Sequence, residues 1–263
     1  MYETTYHRAQ SASDAATKLG GADDGKYISG GQTLLPTMKA RLAAPSDLVD
    51  LTTIEGMSGI AVDGDTVTIG AATTHAEVAA SADVAAAIPA LAALASHIGD
   101  PAVRNRGTIG GSIANNDPAA DYPAACVGLG ATIVTDKREV AADDFFTGMF
   151  ETALAEDEIV MGVKFPKASK AAYEKFPNPA SRYAMVGVFA AQAADGVRVA
   201  VTGAGEGGVF RHTAMETALS NWSPEALDGV TTPASGMLSD IHGSSEYRAH
   251  LTGIMAKRAV AKA

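Results

Sequence analysis

The sequence of 263 residues is poor in cysteine, which occurs once, at Cys126. A single cysteine cannot form an internal disulfide, and an iron–sulfur cluster normally needs four thiolate ligands. The six histidines show no HxxxH spacing, so no zinc site is predicted. If the protein carries out redox chemistry, its redox group must therefore be an organic cofactor.

Long apolar runs and an excess of positive charge are also missing. No run is long enough to span a bilayer, and the N-terminal segment MYETTYHRAQ has no apolar signal core, so we expect a cytoplasmic protein. Lys and Arg number 20 against 30 for Asp and Glu, which gives a net charge of −10. That charge disfavours nucleic acid or an anionic membrane as the main partner. Hydrophobic residues make up 47% of the chain, enough for one large domain or two smaller ones.

Strong signals of acid–base or nucleophilic catalysis are absent as well. No G-x-S-x-G nucleophile elbow occurs, and His97, which lies near Asp100 and Arg104, is interpreted as a surface or loop histidine. Cys126 lies in an alanine-rich predicted helix and is interpreted as a small buried residue. We therefore predict no catalytic residue and no metal ligand in this chain.

What the sequence does contain is a glycine-rich stretch from Gly107 to Asp121, with the letters GTIGGSIANNDPAAD. Its adjacent glycines allow another molecule to approach the main chain closely. Asp117 suits an N-cap and Pro118 suits the first helical position, so the segment from Ala119 to Val127 is predicted to be helical. A glycine loop that leads into a helix N-terminus can hold a phosphate, although a plain tight turn before a helix fits the same letters.

A second glycine-rich stretch, SGGQTLLP at residues 29–36, follows a predicted strand. Successive main-chain N–H groups in such a turn form an anion-binding nest. A third one, Gly203–Gly208, matches G-x-G-x-x-G and is followed about 20 residues later by Asp228, as in dinucleotide-binding sites. Too few residues follow it for a repeated βαβ unit, so a structural turn is favoured there.

The remaining pattern indicates a mixed α and β protein. Alternating residues on either side of Asp63–Asp65 predict a hairpin, and Thr74 with Glu77 forms a capping box at the start of a helix. Residues 166–181 carry three prolines and three lysines and are a candidate domain boundary. Antiparallel strands are predicted on both sides of Ala194–Gly196, and an amphipathic helix over residues 245–262.

Taken together, these segments resemble the medium, FAD-binding subunit of the molybdenum hydroxylase family, which includes aerobic carbon monoxide dehydrogenase and xanthine dehydrogenase. Residues 29–36 are similar to the first FAD loop of that family. Thr108–Ser112 together with Asp117–Asp121 is similar to its second FAD loop. Residues 175–187 resemble its linker and residues 245–251 its C-terminal helix, so the similarity covers nearly the whole chain.

The resemblance implies an α+β fold. We expect a two-subdomain FAD-binding domain of the vanillyl-alcohol-oxidase (PCMH) type, followed by a small α+β C-terminal domain. The expected divisions are residues 1–56 and 57–168 for the two FAD-binding subdomains and 169–263 for the C-terminal domain.

The resemblance also implies which residues bind the cofactor. The main chain of the first loop would hold the pyrophosphate and the second loop would complete that cradle. Asp121 would bind a hydroxyl of the adenosine half, and Ile159 would contact the adenine through its main chain. Ile98, Lys175 and Tyr183 would lie by the flavin ring. The predicted set comprises Ser29, Gly30, Gly31, Gln32, Thr33, Leu34, Ile98, Thr108, Gly110, Gly111, Ser112, Asp121, Ile159, Lys175 and Tyr183.

The first loop carries Gln32 where relatives of the wider oxidase fold can attach flavin covalently through histidine or cysteine, and Cys126 lies outside both loops. FAD is therefore expected to be non-covalent. The [2Fe-2S] clusters and the molybdopterin–molybdenum cofactor are expected in partner subunits only, since this chain lacks the cysteines that the clusters need.

The implied function is that of an oxidoreductase subunit in a heterotrimeric molybdenum hydroxylase. It would pass electrons from the clusters of a small subunit through FAD to an external acceptor, while a large molybdopterin subunit hydroxylates the substrate. A dimer of heterotrimers is expected. Two alternatives stay open: a stand-alone flavin-dependent oxidase, and a non-catalytic nucleotide-binding module. The substrate class and the final acceptor also stay open.

Overall fold

The computed structural model describes all 263 residues, which fold into three main sheets, a two-stranded hairpin and eleven α-helices. The strands are β1 (Thr5–Arg8), β2 (Gly25–Ile28), β3 (Asp47–Asp50), β4 (Ile60–Asp63), β5 (Thr66–Gly70), β6 (Thr132–Thr135), β7 (Glu139–Ala141), β8 (Phe146–Gly148), β9 (Glu151–Thr152), β10 (Val160–Pro166), β11 (Lys170–Pro177), β12 (Ala184–Ala193), β13 (Gly196–Thr202) and β14 (Phe210–Arg211). The helices are α1 (Ala12–Gly20), α2 (Leu34–Lys39), α3 (His75–Ala80), α4 (Ala82–Ala87), α5 (Pro89–Ser96), α6 (Pro101–Arg104), α7 (Ile109–Asn115), α8 (Tyr122–Leu129), α9 (Ala142–Phe145), α10 (Thr213–Ala218) and α11 (Ser245–Lys262).

The first sheet is small and parallel, in the order β1-β3-β2. Helices α1 and α2 make the crossovers that parallel pairing requires. The Ser11 hydroxyl caps α1 by accepting the amide of Asp14 at 3.1 Å. The first glycine stretch follows directly on β2, so the chain leaves this sheet at a carboxyl end, where open α/β sheets place their ligands.

The second sheet is antiparallel throughout, in the order β4-β5-β10-β6-β7. The predicted hairpin is confirmed as β4 and β5, joined by a turn in which Gly64 has a φ of +53°. The predicted capping box of α3 is also confirmed, since the Thr74 hydroxyl and the Glu77 carboxylate each accept the other's backbone N–H.

The third sheet is antiparallel, in the order β11-β12-β13-β14, and its central strand β12 is buried over eight of its ten residues. Helix α11 packs against one face of this sheet, and α8 packs against the other. A strand covered on both faces needs a nearly continuous apolar run, which explains the letters AMVGVFAA of β12. Residues 166–181, predicted as a boundary segment, contain β11, so only residues 167–169 link the second and third sheets.

Buried apolar side chains form two clusters, and the third sheet contributes to both. The larger cluster fills the space around α5, α7, α8 and the second sheet, and Tyr173 and Phe189 of the third sheet reach into it. The smaller cluster lies between the other face of that sheet and α11. The third sheet is therefore held on both faces by apolar contacts.

Two local predictions in the second glycine stretch were wrong. Helix α8 begins at Tyr122 and not at Ala119. The Asp117 carboxylate does accept the amide of Ala119 at 2.9 Å, but the carbonyls of Pro118 and Ala120 accept the Thr202 hydroxyl at 3.1 and 2.7 Å and not the amides of a continuing helix. Gly110 and Gly111 belong to the first turn of α7 and not to a loop, since the Thr108 hydroxyl caps a helix that starts at Ile109.

None of the eleven helices combines the length and the hydropathy that a bilayer crossing requires.

Candidate functional site

A cleft of about 730 Å3 is lined by residues of the parallel sheet, of the second sheet and of the loop that precedes β12. Both glycine stretches line it. Of the fifteen residues predicted to bind the cofactor, fourteen lie on its walls, and Lys175 is the exception. The fold thus brings together residues that are more than 150 positions apart in the chain.

The two glycine stretches touch each other at the base of the cleft. The hydroxyls of Ser29 and Thr108 lie 3.0 Å apart and share a hydrogen bond. A Cβ atom on Gly30 would lie only 2.2 Å from the carbonyl oxygen of Arg106 and 2.7 Å from the Cα of Gly107. Glycine is therefore required at position 30 for the two stretches to approach.

The first stretch offers unpaired main-chain donors. None of the five consecutive amides from Gly30 to Leu34 donates to a backbone carbonyl or to a side chain. Gly31 has a φ of +70°, a conformation that glycine adopts without strain, and its carbonyl accepts the amide of Leu35 at 3.1 Å. Consecutive free N–H groups on a turn form a concave anion-binding nest, which is what a pyrophosphate requires.

The second stretch has few spare donors. The amides of Ile109 and Gly110 donate to the carbonyls of Thr73 and Ala71 at 3.1 and 2.8 Å. Those of Gly111 and Ser112 donate to the side chain and main chain of Thr108 at 3.2 and 3.0 Å. A Cβ on Gly111 would meet only the Thr108 hydroxyl, at 3.0 Å, within 4 Å. This stretch therefore contributes an open surface that a ligand can approach closely.

These observations fit a dinucleotide cofactor. Free amides on one side of the cleft can neutralise a pyrophosphate, and a bare glycine on the other side leaves room for it. The cleft is also lined by apolar side chains that can cover flat rings, among them Ile98, Val103 and Leu154.

One end of the cleft is closed by Ile98 and by the loop between β11 and β12. In this loop, the Asn178 side chain accepts the amides of Ala180 and Ser181 at 2.9 and 3.3 Å, and Arg182 has a φ of +61°. Tyr183 follows, 45% exposed, on the wall of the cleft. Burial and, less strongly, the carboxyls of Asp117 and Asp121 raise the pKa of the Tyr183 hydroxyl, so it stays a neutral phenol.

Lys175 lies behind this wall and not on it. Its ammonium donates to the carbonyl oxygens of His97 and Arg182 at 2.8 and 2.9 Å and forms a buried ion pair with Asp121 at 3.0 Å. All three of its N–H donors are thus used inside the protein. Because His97 and Arg182 each precede a wall residue, Lys175 fixes the positions of Ile98 and Tyr183.

Asp121 is on the wall but is only 4% exposed. Besides Lys175, it accepts the hydroxyl of Tyr173 at 2.5 Å. Burial raises the pKa of the Asp121 carboxyl, while Lys175 and Tyr173 act in the opposite direction. Its carboxylate is therefore first of all the anchor of this buried network.

Ile159 and Glu158 also line the cleft. Both main-chain groups of Ile159 bond to Asp136: the amide donates to its carboxylate at 2.8 Å, and the carbonyl accepts its amide at 3.0 Å. The Ile159 amide is therefore not free for a base. Hydrogen bonds from Arg138 lower the pKa of the buried Glu158 to about 2, so this carboxylate is ionised and structural.

Several wall residues were not predicted from the sequence, and His75 is the most notable of them. It is 5% exposed, and burial, with the nearby charge of Arg104, lowers its pKa to about 4. The capping box predicts that His75 starts a helix. No local pattern, however, links it to Gly107, whose carbonyl accepts the His75 amide at 2.9 Å.

The third glycine motif lies outside the cleft. The Gly203 amide donates to the carbonyl of Pro118 at 2.8 Å, and the Gly203 carbonyl accepts from Arg248 at 2.7 Å. A Cβ on Gly203 would lie 2.3 Å from the carbonyl of Ala184. The prediction of a structural turn at this motif is confirmed.

Comparison with known proteins gives a consistent result. Residues 2–168 match the family model described as the FAD binding domain in molybdopterin dehydrogenase. The chain is 37% identical to the nicotine 6-hydroxylase medium subunit of Paenarthrobacter nicotinovorans, over 98% of this chain and 96% of that protein. It is 34% identical to the carbon monoxide dehydrogenase medium chain of Hydrogenophaga pseudoflava, over 97% and 95%. Among solved structures, the reconstituted CO dehydrogenase from Oligotropha carboxidovorans superimposes with a TM-score of 0.88 at 32% identity, covering 100% of this chain and 99% of that one.

Proposed function

The chain belongs to the family of FAD-binding domains of molybdopterin dehydrogenases, and on this premise we propose that it is the electron-transferring medium subunit of a heterotrimeric molybdenum hydroxylase. Its relatives are named medium subunits or medium chains of a hydroxylase and of dehydrogenases. Each similarity covers nearly the full length of this chain and of the relative. The finer fold assignment, a two-subdomain PCMH-type domain with divisions after residues 56 and 168, is part of this proposal.

The observation that carries the proposal is the hydrogen bond between Ser29 and Thr108 across the base of the cleft. It joins a stretch with five free amides to a stretch with a bare glycine surface. A phosphate on one side alone would need only the nest. Two apposed stretches in a cleft that is also lined by apolar side chains suit a long ligand with a charged middle and two flat rings.

Within this proposal, each part of the wall has a task. The amides of Gly30–Leu34 hold the pyrophosphate, and Gly111 lets it approach. Ile98 and Tyr183 cover the flavin ring at one end, held in place from behind by Lys175. Ile159 and Leu154 cover the adenine at the other end. Asp121 offers a carboxylate oxygen to a hydroxyl of the cofactor while it stays paired with Lys175.

The chemistry that FAD supplies when bound is to take up electrons one at a time and to release them in pairs, which suits a chain placed between [2Fe-2S] clusters and an external acceptor. The chain itself needs only to bind, orient and shield the cofactor. This matches the walls of the cleft, where the Glu158 carboxylate is held by Arg138, the Tyr183 phenol is neutral, and Asp121 is tied to Lys175. Substrate hydroxylation belongs to a large molybdopterin subunit and cluster binding to a small subunit.

The proposal is tested by reconstitution. The purified chain is mixed with FAD and desalted, and we expect a yellow protein with about one non-covalent FAD per chain, released by acid. A folded chain that stays colourless under these conditions would contradict the proposal. Turnover of alcohols or amines by the isolated flavoprotein would instead favour a stand-alone oxidase.

The assembly is tested separately, by co-expression with a small cluster-binding subunit and a large molybdopterin subunit from the same genome. A complex that contains all three chains supports the subunit role. A chain that binds FAD but never copurifies with cluster or molybdopterin subunits would retain the cofactor assignment and overturn the assembly.

A further inference from the structure

We propose that His75 is a cofactor-binding residue, which presents a neutral imidazole and donates a hydrogen bond from its Nε2–H to the FAD in the cleft. This inference rests on the proposed function and adds to it a side-chain donor that neither glycine stretch supplies. It is carried by the placement of the ring, by its unpaired nitrogens and by the glycine beside it.

The backbone fixes His75 against the second glycine stretch. His75 is the first residue of α3, and the capping box of Thr74 and Glu77 holds the start of that helix. The His75 amide donates to the carbonyl of Gly107 at 2.9 Å, and Thr74 forms a bridge with Thr108. The backbone that carries the imidazole is therefore hydrogen-bonded to the second stretch, which lines the cleft.

The ring occupies the space where a side chain of residue 107 would lie. A Cβ on Gly107 would be 2.6 Å from Nε2 and 2.9 Å from Cδ2 of His75. On another side the ring packs against Tyr122, with centroids 5.4 Å apart. The imidazole thus contacts both Gly107 and Tyr122, and His75 lines the cleft.

Neither ring nitrogen has a hydrogen-bond partner within the protein. Nδ1 is fully buried and unpaired, whereas Nε2 is the nitrogen beside Gly107. Nε2 is not among the fully buried atoms, and it lies beside Gly107, which lines the cleft, so it is the nitrogen that a ligand in the cleft can reach. A proton on Nδ1 would find no acceptor, which places the single proton of the neutral ring on Nε2. The pKa of about 4, lowered by burial and by Arg104, keeps the ring neutral at physiological pH.

The test compares two replacements with a matched control. His75→Leu removes the donor, and His75→Gln keeps an N–H donor at a similar reach. His250→Gln makes the same replacement on the exposed side of α11, away from the cleft. The dissociation constant of FAD is measured for each apoprotein by quenching of flavin fluorescence, and thermal melts of the apoproteins check folding.

We expect His75→Leu to weaken FAD binding about tenfold, in line with the loss of one buried hydrogen bond, and His75→Gln to recover most of it. The control should bind like the unmodified chain. If the folded Leu variant binds FAD with unchanged affinity, or if Gln and Leu weaken binding equally, the donor role is wrong.

A second measurement uses the unmodified chain, so it does not depend on whether a variant folds. In 15N-histidine-labelled protein, we expect the His75 signal to report an Nε2–H tautomer that shifts when FAD is added. An unshifted His75 signal in a chain that has taken up FAD would overturn this inference alone. A chain that takes up no FAD at all would overturn the proposed function instead.

Discussion

Ser29–Leu34 and Thr108–Ser112 both carry two adjacent glycines and meet in the same cleft. They differ in whether their main-chain amides have hydrogen-bond partners within the protein. In the first stretch the amides from Gly30 onward are free of partners within the protein. In the second, the amides of Ile109 to Ser112 all have one. The first stretch can therefore neutralise charge, whereas the second can only offer space and hydroxyl groups.

The four glycines are also needed for different reasons. Glycine is required at position 30 because the Arg106 carbonyl lies so close, and it is favoured at position 31 because φ is +70° there. Gly110 is fixed by packing, because its Cβ would lie 2.5 Å from that of Ala71, whereas Gly111 borders open space. Identical letters thus encode one packing glycine in each stretch, one conformational glycine and one glycine that matters only when a ligand is bound.

Among the substitutions, the largest effect is expected from Gly30→Ala, which breaks the contact between the two stretches. The new methyl group would overlap backbone atoms that cannot rotate away, so we expect a loss of roughly 2–3 kcal/mol in the free energy of unfolding and no FAD binding. Urea denaturation and FAD titration measure the two effects. Unchanged stability would mean that the stretches do not approach as closely as described.

Gly111→Val separates binding from folding. The only neighbour of the new Cβ is the Thr108 hydroxyl, so we expect the free energy of unfolding to change by at most about 1 kcal/mol. FAD binding should be lost, because the branched side chain fills the approach to the cofactor. Gly111→Ala is the graded control, and stoichiometric FAD in the valine variant would contradict the assignment of this surface.

A pH-dependent contribution to the free energy of unfolding should be specific to the second stretch, because His75 packs against it. In the unfolded chain, His75 takes up a proton near the ordinary histidine pKa of about 6.5. In the folded chain, its pKa of about 4 keeps the ring neutral down to about that pH. The free energy of unfolding should therefore fall as the pH decreases through that window, by up to about 3 kcal/mol. His97 and His212 also have lowered pKa values, so the contribution of His75 is the part of the slope that is missing in His75→Gln.

The smallest effects concern the shared hydrogen bond. Ser29→Ala removes this bond alone and should cost about 1 kcal/mol or less. Thr108→Ala also removes the cap of α7 and should cost about 1–2 kcal/mol, with recovery in Thr108→Ser. A double-mutant cycle measures the coupling. Additive losses would show that the two hydroxyls do not interact.

Much of the architecture follows from local sequence patterns. The hairpin at Asp63–Asp65, the capping box at Thr74 and the helix over residues 245–262 were predicted and confirmed, because each depends on residues that are neighbours in the chain. The family assignment could be predicted because both glycine stretches occur in order in the sequence, and it was confirmed by the family model and by the relatives. The domain divisions and the cofactor-binding roles of individual residues stay predictions.

What could not be predicted depends on long-range partners. The carbonyls of Pro118 and Ala120, which the predicted helix would use, are taken by the Thr202 hydroxyl from more than 80 residues away. Asp121 is taken by Lys175 and Tyr173 from more than 50 residues away. Likewise, nothing near His75 in the sequence signals that its ring fills the space beside Gly107. The difference between free and paired amides in the two stretches has the same origin, since the carbonyls of Ala71 and Thr73 belong to another segment.

The burial of β12 on both faces has a consequence for biosynthesis. Phe189 of this strand packs against Gly128 of α8, and Tyr173 of the neighbouring strand completes the same apolar cluster. A nascent chain that has emerged only to residue 168 holds both glycine stretches but lacks the cleft-wall residues Ser181–Tyr183, and it leaves this side of its core uncovered. The cofactor-binding half should therefore mature after the ribosome has released the third sheet, and until then it is a client for chaperones.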